Sequence, residues 1–222
     1  MHKTKKVVLF DIDHTIFDTN QYRKNLYTNL AKEIGHDVNE FQNIAQKIYD
    51  EIRKVSPYLT PEPFLKNILT LAKKPTDFKK INNVFWNREL YESCVYPDVK
   101  ETFSYLVDRN IQIGIFSTGD LAHQKIKIGG LKEYLTENHI YISPDKFKTI
   151  KDTFIPNTKY RTYLVDDYPQ ILESAKSHNK NIFTVFIKRK KHHSSLVIPE
   201  NFKPDATIVD LNQLIDIIRT DN

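Results

Sequence analysis

Short apolar runs alternate with stretches of helical spacing through the second half of the chain. The runs span residues 111–117, 139–143, 161–167, 181–188 and 206–210, and a similar run at residues 6–10 stands near the start. Runs of this length, rich in Val, Ile and aromatic residues, are typical of strands buried on both faces. Because parallel strands need helical crossovers between them, the alternation predicts an open α/β layer with a parallel sheet.

A different pattern fills the segment between the first predicted strand and the others. From about residue 19 to residue 92, apolar residues recur at intervals of three and four, as at Leu26, Leu30 and Ile34. This spacing is typical of amphipathic helices. The proline-bearing stretch SPYLTPEPF at residues 56–64 divides the segment, and we expect a last helix around Trp86. The sequence thus predicts a small helical bundle inserted into the α/β layer.

Composition limits the class of protein. With 222 residues, the chain is long enough for one substantial core and a smaller subdomain. A 40% hydrophobic and 27% charged composition is ordinary for a globular protein, and we see no leader or membrane-spanning run. Cys94 is the only cysteine, which excludes an intrachain disulfide and a cysteine-based zinc site. We therefore expect a cytoplasmic protein.

Polar side chains stand where four of the predicted strands end. Ligands of open α/β sheets bind outside the carboxyl ends of the strands, so we expect these groups to meet at one edge. In chain order the residues at these strand ends are Asp11, Asp13, Ser117, Thr118, Gly119, which offers only its backbone amide, Lys146, Lys148, Asp166 and Asp167.

The chemistry of these groups indicates a phosphate site with a metal ion. Neighbouring carboxylates repel, by about 4 kcal/mol per pair at roughly 4 Å and an effective dielectric constant near 20, so they require a cation. Mg²⁺ prefers hard oxygen ligands and commonly binds one or two carboxylates together with a substrate phosphate. A hydroxyl group, backbone amides and an ammonium group suit the remaining phosphate oxygens. Asp11 and Asp13, two residues apart, can face one substrate, one attacking phosphorus and the other moving the proton.

The order of these motifs resembles the haloacid dehalogenase superfamily of phosphohydrolases. That superfamily carries D-x-D-x-T after the first strand, then a Ser or Thr, a Lys and an acidic pair. This chain has DIDHT, IFSTGD, PDKFK and YLVDDYP in the same order. The resemblance implies a Rossmann-like open parallel sheet with helices on both faces and an inserted α-helical cap. Residues 1–18 and 93–222 would form the catalytic core, and residues 19–92 the cap.

The resemblance also implies a role for each polar residue. Asp11 would be the nucleophile that forms an aspartyl-phosphate, and Asp13 the general acid and base. Ser117 and Lys146 would complete the catalytic set, although Lys148 and Lys151 remain alternatives to Lys146. The phosphate-binding residues would be Ser117, Thr118, Gly119 and Lys146, and the Mg²⁺ ligands would be Asp11, the backbone carbonyl of Asp13, Asp166 and Asp167.

The implied function is Mg²⁺-dependent hydrolysis of a small phosphorylated metabolite by a capped phosphatase similar to phosphoglycolate phosphatases. An aspartate at position 13 disfavours a dehalogenase or an ion pump, whereas a phosphomutase of the same superfamily remains an alternative. His14 stands where such relatives often have Gly. Within the predicted cap, residues 56–64, Tyr22 and Arg23 are either substrate contacts or an ordinary loop and helix start.

Three further aspartates and a basic run have simpler interpretations. We expect Asp18, Asp98 and Asp120 to be helix caps or turn residues. The run KRKKHH at residues 188–193 raises the alternative of a nucleic-acid-binding module with a vestigial active site. A net charge of +5 is modest, however, and no aromatic residues interleave the run, which favours a solvated loop.

Overall fold

The computed structural model describes residues 5–154, 160–189, 198–200 and 202–221. Within these ranges the strands are, in chain order, β1 (Lys5–Phe10), β2 (Gln112–Thr118), β3 (Ile140–Ser143), β4 (Tyr160–Asp166), β5 (Phe183–Ile187) and β6 (Ala206–Ile208). The helices are α1 (Thr19–Ile34), α2 (Val38–Val55), α3 (Pro61–Leu69), α4 (Phe78–Phe85), α5 (Arg88–Glu92), α6 (Asp98–Asp108), α7 (Leu121–Lys127), α8 (Lys146–Thr153), α9 (Pro169–His178) and α10 (Asn212–Thr220). Two 3₁₀ helices, Gly129–Tyr134 and Glu137–His139, precede β3.

The strands form one parallel sheet in the order β3-β2-β1-β4-β5-β6. The strand order reverses between β1 and β4, which is where open α/β sheets have their binding crevice. Phe10, the last residue of β1, pairs with Ile115 on one side and Val165 on the other. The residues that follow these strands therefore emerge side by side at one edge.

Helices cover both faces of the sheet because the side chains of β1 alternate between two apolar clusters. Phe10 packs on Phe103 of α6, with ring centroids 4.9 Å apart, in the cluster that also holds Leu214 of α10. Leu9 points the other way, into a cluster with Leu172 of α9. The predicted fold class is confirmed, although β3, β5 and β6 are shorter than the predicted runs.

Helices α1 to α5 occupy the segment predicted to be a bundle, and fully buried apolar side chains join them. These residues are Leu30, Phe41, Phe64, Ile68 and Ile81. The division into a core and a cap at residues 18 and 93 stays a prediction. Helix is present on both sides of Trp86 as expected, but in two pieces: α4 ends before Trp86, and Asn87 caps the start of α5 by accepting from the backbone N–H groups of Glu89 and Leu90.

Two of the three aspartates expected to cap helices do so. Asp18 accepts a hydrogen bond from the backbone N–H of Gln21 at the start of α1, and Asp120 accepts one from the backbone N–H of His123 at the start of α7. The expectation for Asp98 is wrong, because its carboxylate does not cap α6.

The Asp98 carboxylate instead binds the buried guanidinium of Arg189. Nη1 of Arg189 lies 2.6 Å from Oδ2 of Asp98, and Nη2 donates to the backbone carbonyl of Thr15 at 2.7 Å. Of the basic run at residues 188–193, the structure describes Lys188 and Arg189, and residues 190–193 lie outside the described part. Arg189 thus ties the chain after β5 to the loop after β1.

A polar cluster lies at the opposite edge of the sheet, where β1 and β4 begin. Lys6 of β1 pairs with Arg161 of β4. Asp221 accepts hydrogen bonds from the side chains of Lys6, Arg161 and Tyr163. The segment after α10 is thereby joined to both central strands.

Candidate active site

Three elements place their polar side chains around Asp11, the residue that follows β1. Ser117 of β2 donates from Oγ to Oδ1 of Asp11 at 3.0 Å. Nζ of Lys146, at the start of α8, lies 2.5 Å from the same oxygen and 2.6 Å from Oδ2 of Asp166, at the end of β4. All four side chains are buried. The parallel register therefore brings together residues that lie up to 155 positions apart, from Asp11 to Asp166.

Asp11, Asp166 and Asp167 form an acidic cluster. One carboxylate oxygen from each lies within 4.8 Å of the others, and all three residues are buried. Burial raises the pKa of Asp11 to about 7, with Lys146 opposing it and Asp166 and Asp13 adding to it. Burial likewise raises the pKa of Asp166 to about 6 against the opposing charge of Lys146. The ammonium group of Lys146 offsets one of three negative charges, so the oxygen donor set fits a divalent cation such as Mg²⁺.

The structure separates the candidate lysines. The side chain of Lys146 is 6% exposed and contacts Asp11, whereas that of Lys148 is 84% exposed and lies 3.6 Å from Asp145. Lys151 is also exposed. Lys146 is therefore the lysine of this group that lies at the acidic cluster.

Asp13 makes contacts different from those of Asp11. Its carboxylate accepts hydrogen bonds from Oγ1 of Thr19 at 2.6 Å, Nε2 of Gln124 at 2.9 Å and Nζ of Lys127 at 2.7 and 2.8 Å. Burial acts to raise its pKa, but the Lys127 ammonium and these hydrogen bonds outweigh burial and hold the pKa well below the usual range of a carboxyl group. Asp13 is therefore ionised in this arrangement.

Gln124 and Lys127 are functional contacts of Asp13 that the sequence pattern does not predict. They stand three residues apart on α7, directly after the STGD motif, so they share one helix face. That spacing is the signal that could have drawn attention to them. Nothing in the local pattern indicates that this face meets Asp13, 111 and 114 positions earlier in the chain.

Thr118 and Gly119 lie beside the cluster, and some of their polar groups bind other residues. Oγ1 of Thr118 accepts from the backbone N–H of Lys146 at 3.3 Å, and the N–H of Gly119 donates to the carbonyl of Ser143 at 2.9 Å. A Cβ on Gly119 would lie 2.6 Å from Nε2 of Gln124, and its φ of +152° also favours glycine. Gly119 thus provides room for Gln124, and its backbone N–H donates to Ser143.

His14 has a left-handed backbone conformation, with φ of +59°. Glycine adopts such angles at little cost, and other residues do so less readily. This conformation gives a physical reason for the glycine that the resemblance associates with this position.

Two cavities meet at the site. One, of about 410 Å³, is lined by the acidic cluster together with Ser117 and Lys146. The other, of about 260 Å³, lies between α1, α2 and α7. Both are lined by Asp13, Arg53, Pro57 and Thr118. The inserted helices therefore contribute residues to the mouth of the acidic cavity.

The strand order and the position of the acidic cluster define a class of Rossmann-like proteins with a polar site at the switch point of the sheet. The chain belongs to the haloacid dehalogenase-like hydrolase family, whose model matches residues 8–187. This match confirms the family and the prediction of a hydrolytic enzyme.

Individual proteins show the same likeness. "Putative pyrophosphatase PpaX" of Caldanaerobacter subterraneus subsp. tengcongensis is 26% identical over 96% of this chain and 94% of its own length. A haloacid dehalogenase-like hydrolase from Burkholderia xenovorans LB400 matches with a TM-score of 0.71 and 21% identity, over 96% of this chain and 99% of that structure. A phosphatase from Thermococcus onnurineus matches with a TM-score of 0.56 and 21% identity, over 96% and 97%. These structures support the fold.

Among the helices that the structure describes, none is both long and apolar enough to cross a membrane.

Proposed function

We propose that this protein is a phosphatase that hydrolyses a small phosphomonoester, with Asp11 as its nucleophile. One observation supports this most directly: Oδ1 of Asp11 receives both the Ser117 hydroxyl and the Lys146 ammonium, beside Asp166 and Asp167. An anionic nucleophile beside groups that bind phosphoryl oxygens is what phosphoryl transfer to a carboxylate requires. The names of the relatives from Caldanaerobacter and Thermococcus agree with a reaction at phosphorus.

In the first step, an oxygen of Asp11 attacks phosphorus, the bond from phosphorus to the leaving oxygen breaks, and Asp13 gives the leaving oxygen a proton. In the second step, Asp13 takes a proton from water, the water oxygen attacks phosphorus, and the aspartyl-phosphate bond breaks. The products are an alcohol and inorganic phosphate. Since Lys127 holds Asp13 ionised here, we infer that Asp13 leaves this contact and takes up a proton from solvent before it gives that proton to the leaving oxygen.

Four groups would hold Mg²⁺: the carboxylates of Asp11, Asp166 and Asp167, and the backbone carbonyl of Asp13. When bound, the ion neutralises charge on the phosphoryl oxygens. The chain's own contribution is to keep these carboxylates together, with Lys146 offsetting part of their repulsion until substrate arrives.

We also propose that the helices within residues 19–92 act as a cap over this site. Arg53 and Pro57, at and just beyond the end of α2, line both cavities, so a substrate in the acidic cavity meets residues of this segment. A cap of this kind excludes water and selects the leaving group. The substrate would then be a small phosphorylated metabolite.

A trapping experiment tests the proposed function. The protein is incubated with Mg²⁺ and a panel of phosphorylated metabolites, release of phosphate is measured, and acid-quenched samples are examined by mass spectrometry. We expect a phosphoryl group on the peptide that contains Asp11 and loss of turnover on chelation, restored by adding Mg²⁺. A peptide that stays unmodified during turnover would contradict the role of Asp11.

A further inference from the structure

The cavity between α1, α2 and α7 carries more positive than negative charge. Its charged side chains are Arg23, Arg53, Lys127, Asp13 and Asp120. Lys127 pairs with Asp13, and Asp120 accepts from the backbone N–H of His123 at the start of α7. Once the Lys127–Asp13 pair is set aside, two guanidinium groups and one carboxylate are left, and that carboxylate already caps a helix.

Both arginines line this cavity, as does Tyr49 of α2. Nη2 of Arg23 donates to the hydroxyl of Tyr49 at 2.8 Å, and the guanidinium lies 4.3 Å from the centroid of that ring. Arg53 follows Tyr49 by one turn of α2 and is exposed. Within the described part of the chain, neither arginine forms an ion pair with a carboxylate. Guanidinium groups without a carboxylate partner are suited to bind carboxylate or phosphate oxygens.

Arg53 also marks the junction with the acidic cavity, because it lines both. A phosphomonoester bound at Asp11 would place its leaving group past Asp13 and into the arginine-bearing cavity. The remaining walls include Leu26, Tyr27 and Phe64, and the volume of about 260 Å³ limits the size of the group.

On the basis of the proposed function, we propose that the leaving group of the substrate carries anionic oxygens of its own, a carboxylate or a second phosphate, which Arg53 and Arg23 bind. These two arginines would then determine specificity for substrates with a small, negatively charged leaving group. Among leaving groups small enough for this cavity, the preference depends on the charge of the group.

The first test compares substrates of similar size. We expect the KM of the wild-type protein for phosphoglycolate or inorganic pyrophosphate to be at least about tenfold lower than its KM for 2-hydroxyethyl phosphate, whose leaving group is uncharged, since one charge-assisted contact has about this effect. Whichever anionic substrate is preferred identifies the carboxylate or the phosphate as the recognised group. Equal KM values for substrates with charged and uncharged leaving groups would overturn the inference while leaving the proposed function standing.

Substitution of Arg53 tests whether this residue causes the preference for a charged leaving group. Arg53→Gln should raise KM for the preferred anionic substrate about tenfold with little change in kcat, and change KM for 2-hydroxyethyl phosphate by no more than about twofold. Lys54→Gln is the matched control, because Lys54 is exposed on the same helix, pairs with Glu51 and lines neither cavity. An equal loss with both substrates in Arg53→Gln would count against charge recognition.

A binding measurement tests the charge preference of the cavity without turnover. By calorimetry, methylenediphosphonate should bind wild-type protein more tightly than methylphosphonate, and Arg53→Gln should remove about tenfold of that difference. Equal affinities for the two phosphonates in the wild-type protein would overturn the inference. Because neither compound is hydrolysed, this comparison holds even if no ester is turned over, a result that would count against the proposed function instead.

Discussion

Asp11 combines burial with negative charge, which is useful for chemistry and unfavourable for folding. Its pKa rises from 3.8 to about 7 on folding, so the folded protein binds a proton that the unfolded chain releases between these values. The contribution of Asp11 to the free energy of unfolding therefore falls as the pH rises through this window. Above about pH 7 the full penalty for the buried charge is present.

Asp11→Asn should accordingly separate activity from stability. We expect turnover to fall by about 10³-fold or more, because an amide is a poor nucleophile. At pH 8, without divalent cations, the free energy of unfolding should be no lower than that of the wild-type protein. Steady-state kinetics and thermal unfolding check both statements, with the exposed Asp152→Asn as control. Turnover equal to wild type would rule out Asp11 as the nucleophile.

The same pKa values predict how Mg²⁺ binding depends on pH. Protons compete with the cation for Asp11 and Asp166, whose pKa values are about 7 and about 6. Affinity should increase as the pH rises from about 5.5 to about 7.5, with protons released on binding, and then level off. Calorimetric titrations with Mg²⁺ in buffers of different ionisation enthalpy measure both quantities. An affinity that is constant over this range would show that these carboxylates do not hold the ion.

Lys146 offsets charge at the same cluster. Lys146→Met leaves buried carboxylates without their cation, which should lower the free energy of unfolding by about 3 kcal/mol at neutral pH. It should also reduce kcat by about 10²-fold, since a group on the phosphoryl oxygens is lost. Lys148→Met, two residues away and exposed, should resemble the wild-type protein in denaturant unfolding and in kinetics. Similar effects of the two variants would contradict this assignment.

At the scale of elements, local pattern predicted which segments are strands but not where each ends. The run at residues 181–188 gives a strand only over Phe183–Ile187, and the helix expected around Trp86 is interrupted by an asparagine cap. These boundaries depend on pairing and capping partners outside the run itself. Asp98 shows the same limit, because its partner Arg189 lies 91 positions away.

Arg189 connects two loops at the edge of the sheet that carries the site. Arg189→Leu leaves the Asp98 carboxylate and the Thr15 carbonyl without this buried donor, so we expect the free energy of unfolding to fall by about 3 kcal/mol. The neighbouring Lys188→Gln, at an exposed position, should change it by less than about 0.5 kcal/mol. Denaturant unfolding of both variants provides the comparison. Equal stabilities would indicate that the ion pair contributes nothing to the fold.

At the scale of the whole molecule, the sheet and the edge that carries the site could be predicted, because buried parallel strands place their carboxyl ends together. The sequence showed which groups collect there, from Asp11 to Asp167. The sequence could not show which residues line the second cavity, because they come from four helices, α1, α2, α3 and α7. Arg23 and the stretch at residues 56–64 stood out in the sequence, whereas Arg53 did not.

The charge of the molecule also bears on the alternative of nucleic-acid binding. Of the basic run, Arg189 is buried and paired with Asp98, so it is not available to bind phosphates. With a net charge of +5, we expect no salt-dependent binding of oligonucleotides near physiological ionic strength. Fluorescence anisotropy with a labelled oligonucleotide across a salt titration measures this. An affinity that falls steeply with salt would restore the binding hypothesis.

The hydrogen bonds of Asp221 join the C-terminal segment to β1 and β4. The reactive carboxylates follow the other end of the same two strands. Contacts that stabilise the fold and groups that carry out the chemistry thus lie at different ends of the same pair of strands. Substitution of Asp221 would remove its side-chain contact with Arg161 near the beginning of β4, at the end of the strand away from the groups that act on substrate. We expect such substitutions to change the thermal stability of the protein and to leave the geometry around Asp11 unchanged.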